Sequence, residues 1–140
     1  MSPRSTVLVD TGFLYALFDP RDQFNSQAVE KAGVLDRHTS ILPWPILYEV
    51  LKTRFVKKTQ SLLQLEALQK QAHVVLLSDL PYREPALQAV YRSAPRRSLS
   101  LVDMVLRLMI EDVNVRTDAV LTFNPGDFAN VCAKHRVKLL

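Results

Sequence analysis

Hydrophobic positions along this chain fall into two kinds of run. Short, almost wholly apolar stretches occur at Thr6-Val7-Leu8-Val9, Ile41-Leu42, Val74 to Leu77, Ala119-Val120-Leu121-Thr122 and Val137 to Leu140. Runs so short and so apolar read as strands covered on both faces, the habit of a parallel sheet. Between them, apolar residues recur at three- and four-residue intervals, as on one face of a helix. One such helix opens after Asp10-Thr11-Gly12, runs through Phe13, Leu14, Ala16 and Leu17, and stops at Asp19-Pro20. A second, capped by Asn25 or Ser26, runs toward Arg37 with Ala28, Val29, Ala32 and Leu35 inward. A third starts at Pro45, a residue suited to the first helical turn. It carries Ile46, Leu47, Val50 and Leu51, then turns basic at Lys52, Arg54, Lys57 and Lys58. Leu62, Leu65 and Leu68 mark a fourth, and residues 85–94 a fifth. The last strongly periodic run begins at Ser100, where only Asp103 and Arg107 interrupt Leu101 to Ile110. A helix apolar on most sides belongs at the centre of a fold.

Strands alternating with helices predict an α/β protein: three layers, α/β/α, around a central, mainly parallel sheet of four to five strands. No linker, repeat or low-complexity segment divides the chain, so a single domain over residues 1–140 is expected. That length buries a core without crosslinks. The one cysteine, Cys132, excludes an intrachain disulfide and a cysteine-rich zinc site. No apolar run approaches a membrane span, and the start, Met1 to Ser5, carries no hydrophobic export signal. A cytoplasmic location is the expectation. The net charge of +4 tilts the partner toward a polyanion.

Chemistry enters with four acids that stand beside apolar runs: Asp10, Glu49, Asp103 and Asp127. Ionised carboxylates near a core need compensation. Asp10 ends the first strand, where ligands bind in open α/β sheets, although an aspartate there also caps the following helix. Glu49 flanks its apolar stripe and has an ordinary reading as a boundary glutamate. Asp103 stands in the first turn of the central helix, able to close a capping box with Ser100 or pair with Arg107. Asp127 follows Asn124-Pro125-Gly126 and has a structural reading as a cap for a short final helix. Asp118 lies at the amino end of the fourth strand, away from the ligand edge. Several acids brought to one edge repel one another, and a divalent cation is the economical remedy.

Val7-Leu8-Val9-Asp10-Thr11-Gly12, Tyr48-Glu49-Val50, Leu99-Ser100-Leu101-Val102-Asp103 and Leu121 to Phe128, taken in order, resemble the PIN-domain nucleases, including the VapC-type toxins of toxin–antitoxin pairs. The resemblance runs over nearly the whole chain. It implies a Mg²⁺- or Mn²⁺-dependent endoribonuclease that hydrolyses phosphodiester bonds, leaving a 5′-phosphate and a 3′-hydroxyl. It assigns metal binding and catalysis to Asp10, Glu49, Asp103 and Asp127, with Thr11, Thr122 and Asn124 in support. Many such proteins have an acid where this chain has Asn124, which offers a metal only a neutral oxygen. RNA contacts are expected from Arg54, Arg96 and Arg97. The resemblance also implies an antitoxin protein as partner and a homodimer, for which the amphipathic helix from Leu62 to Ala72 would serve.

Other readings fit less well. Phosphatases of the haloacid dehalogenase type need a second aspartate where Gly12 stands, and phosphorylated receiver domains need a lysine where Thr122-Phe123 stands. His38, His73 and His135 are scattered singly, which disfavours zinc chemistry. The alternative of weight is a PIN fold kept as a binding or interaction module with weak or no catalysis.

Overall fold

The computed structural model describes residues 5–93 and 99–140. The first strand, β1 (Thr6–Val9), leads into α1 (Thr11–Phe18) and α2 (Asn25–Arg37). Next come β2 (Thr39–Pro43), α3 (Trp44–Val50), α4 (Thr53–Val56), α5 (Thr59–Gln69) and β3 (Val74–Leu77). A 3₁₀ turn at Leu80–Tyr82 enters α6 (Arg83–Ser93), and α7 (Leu101–Glu111) follows. The chain ends with β4 (Ala119–Leu121), a 3₁₀ turn at Pro125–Asp127, α8 (Ala129–Lys134) and β5 (Lys138–Leu139).

The five strands form one sheet in the order β3-β2-β1-β4-β5, and every neighbouring pair is parallel. Val7, Leu8 and Val9 of β1 are all buried, as are all three residues of β4. A strand buried on both faces needs a layer on each, so the sequence pattern and the three-layer architecture agree. Phe13, Leu14, Ile46, Leu106, Met109 and Phe128 fill the core from the helices and the loop before α8. The chain winds outward from β1 through β2 to β3, then returns to the other side of β1 for β4 and β5. The direction reverses between β1 and β4. In open α/β sheets the crevice beyond the carboxyl ends of the strands at such a reversal is where ligands bind.

Several element ends differ from those expected. Neither Asn25 nor Ser26 caps α2: Phe24 takes that place without a side-chain bond. The Asn25 amide instead donates to the Ala16 carbonyl at 2.8 Å, tying α2 to α1. The third helix does not continue into the basic segment. It closes at Leu51, whose N–H donates to Leu47 O, and the chain restarts as α4 to bury Phe55. In α5 the inward residues are Ser61, Leu65 and Leu68, while Leu62, expected on the same stripe, is exposed. Asp127 does not cap the final helix, since α8 begins after Phe128 without a side-chain cap. Asp118 is structural: its Oδ2 accepts the Thr6 N–H at 2.8 Å, at the sheet edge opposite the reversal.

Candidate active site

Asp10 is the first residue past β1, and its N–H donates to Leu121 O of β4 at 3.1 Å. The register of the two central strands thus carries it to the topological reversal. Asp10 is only 5% exposed, and both carboxylate oxygens are occupied. Oδ1 accepts the Thr11 N–H at 2.8 Å, which makes Asp10 the N-cap of α1. Oδ2 accepts the Thr122 hydroxyl at 2.9 Å, and Thr122 Oγ1 in turn accepts the Asn124 N–H at 2.9 Å. The cap role of Asp10 and its place at the ligand edge are therefore compatible. The Thr11 side chain makes a further link, from α1 to α3, because its hydroxyl donates to Glu49 Oε1 at 2.6 Å.

Asp103 lies in the first turn of α7. Its N–H donates to the Ser100 hydroxyl at 3.1 Å, the capping arrangement expected from the sequence. Arg107, one turn on and buried, donates from one terminal nitrogen to the Asp127 carbonyl at 2.7 Å and to Asn130 Oδ1 at 2.8 Å. The guanidinium so fixes the loop that carries Asp127 against α7. Asn124 stands over the start of α1: a β-carbon on Gly12 would lie 3.8 Å from its side-chain nitrogen.

Asp10 and Asp103 feel neighbouring acids. The Asp10 carboxyl is pushed up to about 6, first by burial and further by the charges of Asp103 and Glu49, against the pull of its bonds to Thr122 and Thr11. Asp103 is raised too, by burial first, then by Asp127 and Glu49, while its bonds to Ser100 hold it down. Side chains from four separate segments thus share one electrostatic site. Among the described residues, however, no three acidic, histidine or cysteine side chains stand close enough to hold a metal ion as they are. Two of the carboxylates are engaged by hydrogen bonds: Thr11 holds Glu49, and Thr122 with the Thr11 N–H holds Asp10. The donor set is still the one a hard cation prefers, carboxylates with amide and hydroxyl oxygens near them. Mg²⁺ keeps several waters and is commonly held by only one or two carboxylates, so a closed cage of three is not required. His38, His73 and His135 join no such group either.

Arg54 is exposed near the site, and Arg96 and Arg97 lie outside the described residues. Sequence reasoning missed the aromatic neighbours. Phe24 stacks on Phe123 with centroids 4.7 Å apart and planes 7° apart, and Phe123 stacks on the buried Phe13 at 5.7 Å. Tyr15, Phe24 and Phe123 line a cleft that shares Thr11 and Glu49 with the acids. A phenylalanine in a polar loop, Asp22-Gln23-Phe24, was the available signal.

A five-stranded parallel sheet of this order, layered by helices and carrying acids at its reversal, is the three-layer PIN-like fold that the sequence predicted. Among solved structures, the chain is similar to Mycobacterium tuberculosis VapC20, described as a sarcin-ricin loop cleaving toxin, with a TM-score of 0.70. The likeness covers 89% of this chain and 94% of that one at 16% identity, so what is shared is the VapC-type PIN fold. No protein-family model and no curated protein matches the chain.

Proposed function

We propose that this protein is a divalent-metal-dependent endoribonuclease, the toxin of a toxin–antitoxin pair, acting through Asp10, Glu49, Asp103 and Asp127. The observation that carries the reading is that Asp10, buried at the sheet reversal, and Asp103 are both raised by neighbouring acids of this set. The fold it shares with a toxin described as cleaving the sarcin-ricin loop supports the same reading. Asp10 and Asp103, with Glu49 and Asp127 beside them, would hold Mg²⁺ or Mn²⁺. When bound, the cation supplies Lewis acidity toward the phosphate and a water that loses its proton near neutral pH.

The chain's own residues orient the donors. Thr122 and the Thr11 N–H fix the rotation of the Asp10 carboxylate, one bond on each oxygen. The Thr11 hydroxyl steers Glu49. Arg107 sets the Asp127 loop through its backbone, so that Asp127's own carboxylate stays available. Asn124 contributes a neutral oxygen where a further acid would add charge, which favours fewer bound cations. The exposed Arg54 is a phosphate contact in this reading. An antitoxin protein would restrain the activity, and the protein would act as a homodimer in the cytoplasm. Among the described residues no helix is long and apolar enough to cross a membrane.

The test is cleavage of mixed RNAs with Mg²⁺ or Mn²⁺ by wild type and by Asp10→Asn, alongside Mn²⁺ titration. A nuclease cleaves only with the cation and loses both cleavage and Mn²⁺ affinity on substitution. Indifference of both proteins to Mn²⁺ would leave the interaction-module reading.

A further inference from the structure

The acids stand at the carboxyl ends of the strands. The opposite edge of the sheet, where β4 and β5 begin, is basic. Arg116 precedes β4, Lys134 ends α8, Arg136 follows it and Lys138 opens β5, and all four are exposed. The two strands are neighbours, with Ala119 paired to Lys138, so Arg116 and Arg136 stand three and two residues before paired positions. Among the described residues none of the four is in an ion pair. The acids near them in the chain have other partners or places. Asp112 accepts the Tyr82 hydroxyl and the Asn114 N–H, Asp118 accepts the Thr6 N–H, and Glu111 lines a groove with Arg92.

Two of these cations have ordinary roles. Lys134, in the last turn of α8, complements the helix dipole, and Lys138 on the edge strand discourages pairing with another sheet. The arginines are different. Among the described residues, Arg116 and Arg136 are the two non-glycine positions with positive φ, 58° and 57°. Arg136 closes α8: its N–H donates to Ala133 O at 3.4 Å, the Val137 N–H donates to Cys132 O at 2.8 Å, and Val137 is buried. Glycine is the usual residue at that place in such a turn, because a β-carbon is strained there. Both turns therefore carry a long cation where glycine would sit at ease, and strained positions of this kind cluster at functional sites. Residues 116–118 and 134–138 include no phenylalanine, tyrosine or tryptophan on which a base could stack. The complement is a row of phosphates, a contact that positions a nucleic acid without reading its sequence. Six residues of chain separate Arg116 from Thr122 at the acids, up to roughly 20 Å at strand rise. Resting on the nuclease reading above for the identity of the polyanion, we propose that this amino edge of the sheet is a second RNA contact. It holds backbone phosphates of a folded RNA several nucleotides away from the one at the acids, adding affinity without sequence preference.

The test measures fluorescence anisotropy of a fluorescein-labelled RNA hairpin in EDTA, with the full chain. A stem of about 15 base pairs, at roughly 3.4 Å each, is long enough to reach past the edge. Arg116→Gly combined with Arg136→Gly should weaken binding at least tenfold at about 100 mM salt and lower the salt slope by about 1.4–1.8, the share of two phosphate contacts. The same pair should raise the unfolding temperature, because glycine relaxes both turns. A turn-forming role alone would not join weaker binding to a more stable fold. Lys134→Gln combined with Lys138→Gln, which disturbs neither turn, should lower the slope as well. Arg37→Gln combined with Arg92→Gln removes equal charge from exposed positions elsewhere and should move the slope far less. If wild type cuts RNA while the arginine pair binds the hairpin as wild type does, or the control pair weakens binding equally, the edge proposal is overturned and the nuclease reading stands. An acidic protein is then the better occupant of the edge. If the arginine pair weakens binding but no cation supports cleavage, the edge contact stands and the nuclease reading falls. If wild type neither binds nor cuts RNA, both fall.

Discussion

Replacing Asp10 with asparagine should make the metal-free protein more stable. The residue is 5% exposed, and its carboxyl is pushed up to about 6 from an ordinary 3.8, by burial first and by neighbouring acids further down the order of causes. The folded state therefore holds the proton more tightly than the unfolded chain does. For an acid raised in this way, the favourable contribution is complete below pH 3.8 and is lost as pH rises through about 6. Above that the carboxylate is ionised in both states, and the folded state carries the whole penalty. A displacement of about two pH units corresponds to about 3 kcal/mol. Asparagine cannot ionise. Its carbonyl keeps the Thr11 N–H, but its amide nitrogen faces a Thr122 hydroxyl that now donates to the carboxylate and already accepts the Asn124 N–H. That mismatch costs about 1 kcal/mol. The net gain is about 1–2 kcal/mol at about pH 7.5, shrinking toward zero or reversing by about pH 4. Urea denaturation in EDTA, followed by the single tryptophan, Trp44, reads the difference between the two proteins across that pH range. Saturating Mn²⁺ should reverse the ranking, because only wild type gains binding energy, about 2.7 kcal/mol at about a hundred times Kd. A difference that is independent of pH, or a variant that loses ground to wild type as pH rises, would refute the reasoning.

The Asp19 carboxylate is held below its ordinary value, chiefly by the Arg21 N–H and then by Lys58 at 3.1 Å. Its contribution is present above pH 3.8 and lost as pH falls through the lower folded value. Asp19→Asn should cost about 1–2 kcal/mol at about pH 7, and the gap should close as pH falls through the lowered folded value in a urea titration series. Ser61→Ala leaves the buried Phe18 carbonyl without the hydroxyl that donates to it at 2.7 Å. A loss of about 1–2 kcal/mol in thermal or chemical denaturation is expected. Arg107→Met keeps much of the volume but removes the donors to Asp127 O and Asn130. It should cost about 2–4 kcal/mol and speed amide exchange in residues 124–130, and unchanged exchange there would refute the role of Arg107 in fixing the loop.

What the sequence disclosed about the site was what depends on neighbours in the chain. Asp10 was legible because a strand's end and a helix's start are both written within a few residues. Asp103 was legible because Ser100 stands three positions before it, and the Ser100 hydroxyl does take its N–H. The bond from Thr11 to Glu49 spans 38 residues and has no local mark. The expectation that Asp127 caps a helix fails because Arg107, twenty residues earlier, determines that loop. Asn25 misleads for the same reason: its amide finds a carbonyl of α1 instead of the N–H groups of its own helix. In the basic segment the lysines draw attention, yet Phe55 is the residue that decides the local course. Only 1% exposed, it requires the chain to break after α3 and turn back toward the core. The strands β1 and β4 were legible nearly to the residue, because burial on both faces leaves little to confuse the pattern, whereas β2 extends as Thr39–Pro43 beyond the expected Ile41-Leu42 and the edge strand β5 is only Lys138–Leu139, both exposed.

The manner in which the acids are held separates stability from function in this fold. Each acid is positioned by groups outside the set of four: the Asp10 carboxylate by Thr122 and a helix N–H, the Glu49 carboxylate by Thr11, and Asp103 and Asp127 through their backbones, by the Ser100 hydroxyl and by Arg107. None of these bonds runs from one acid to another, so the repulsion among them is not offset inside the site. It is offset by the core beneath, where Val9, Leu121 and Phe13 are fully buried beside Asp10 in the chain and the sheet. Substituting an acid should therefore relieve strain on the fold, whereas substituting a tether or a core residue should weaken it. A scan of stability against cation affinity would place the acids and their tethers in opposite quadrants. A ligand set made of ordinary surface carboxylates would show no such division, because exposed acids cost the fold little to carry.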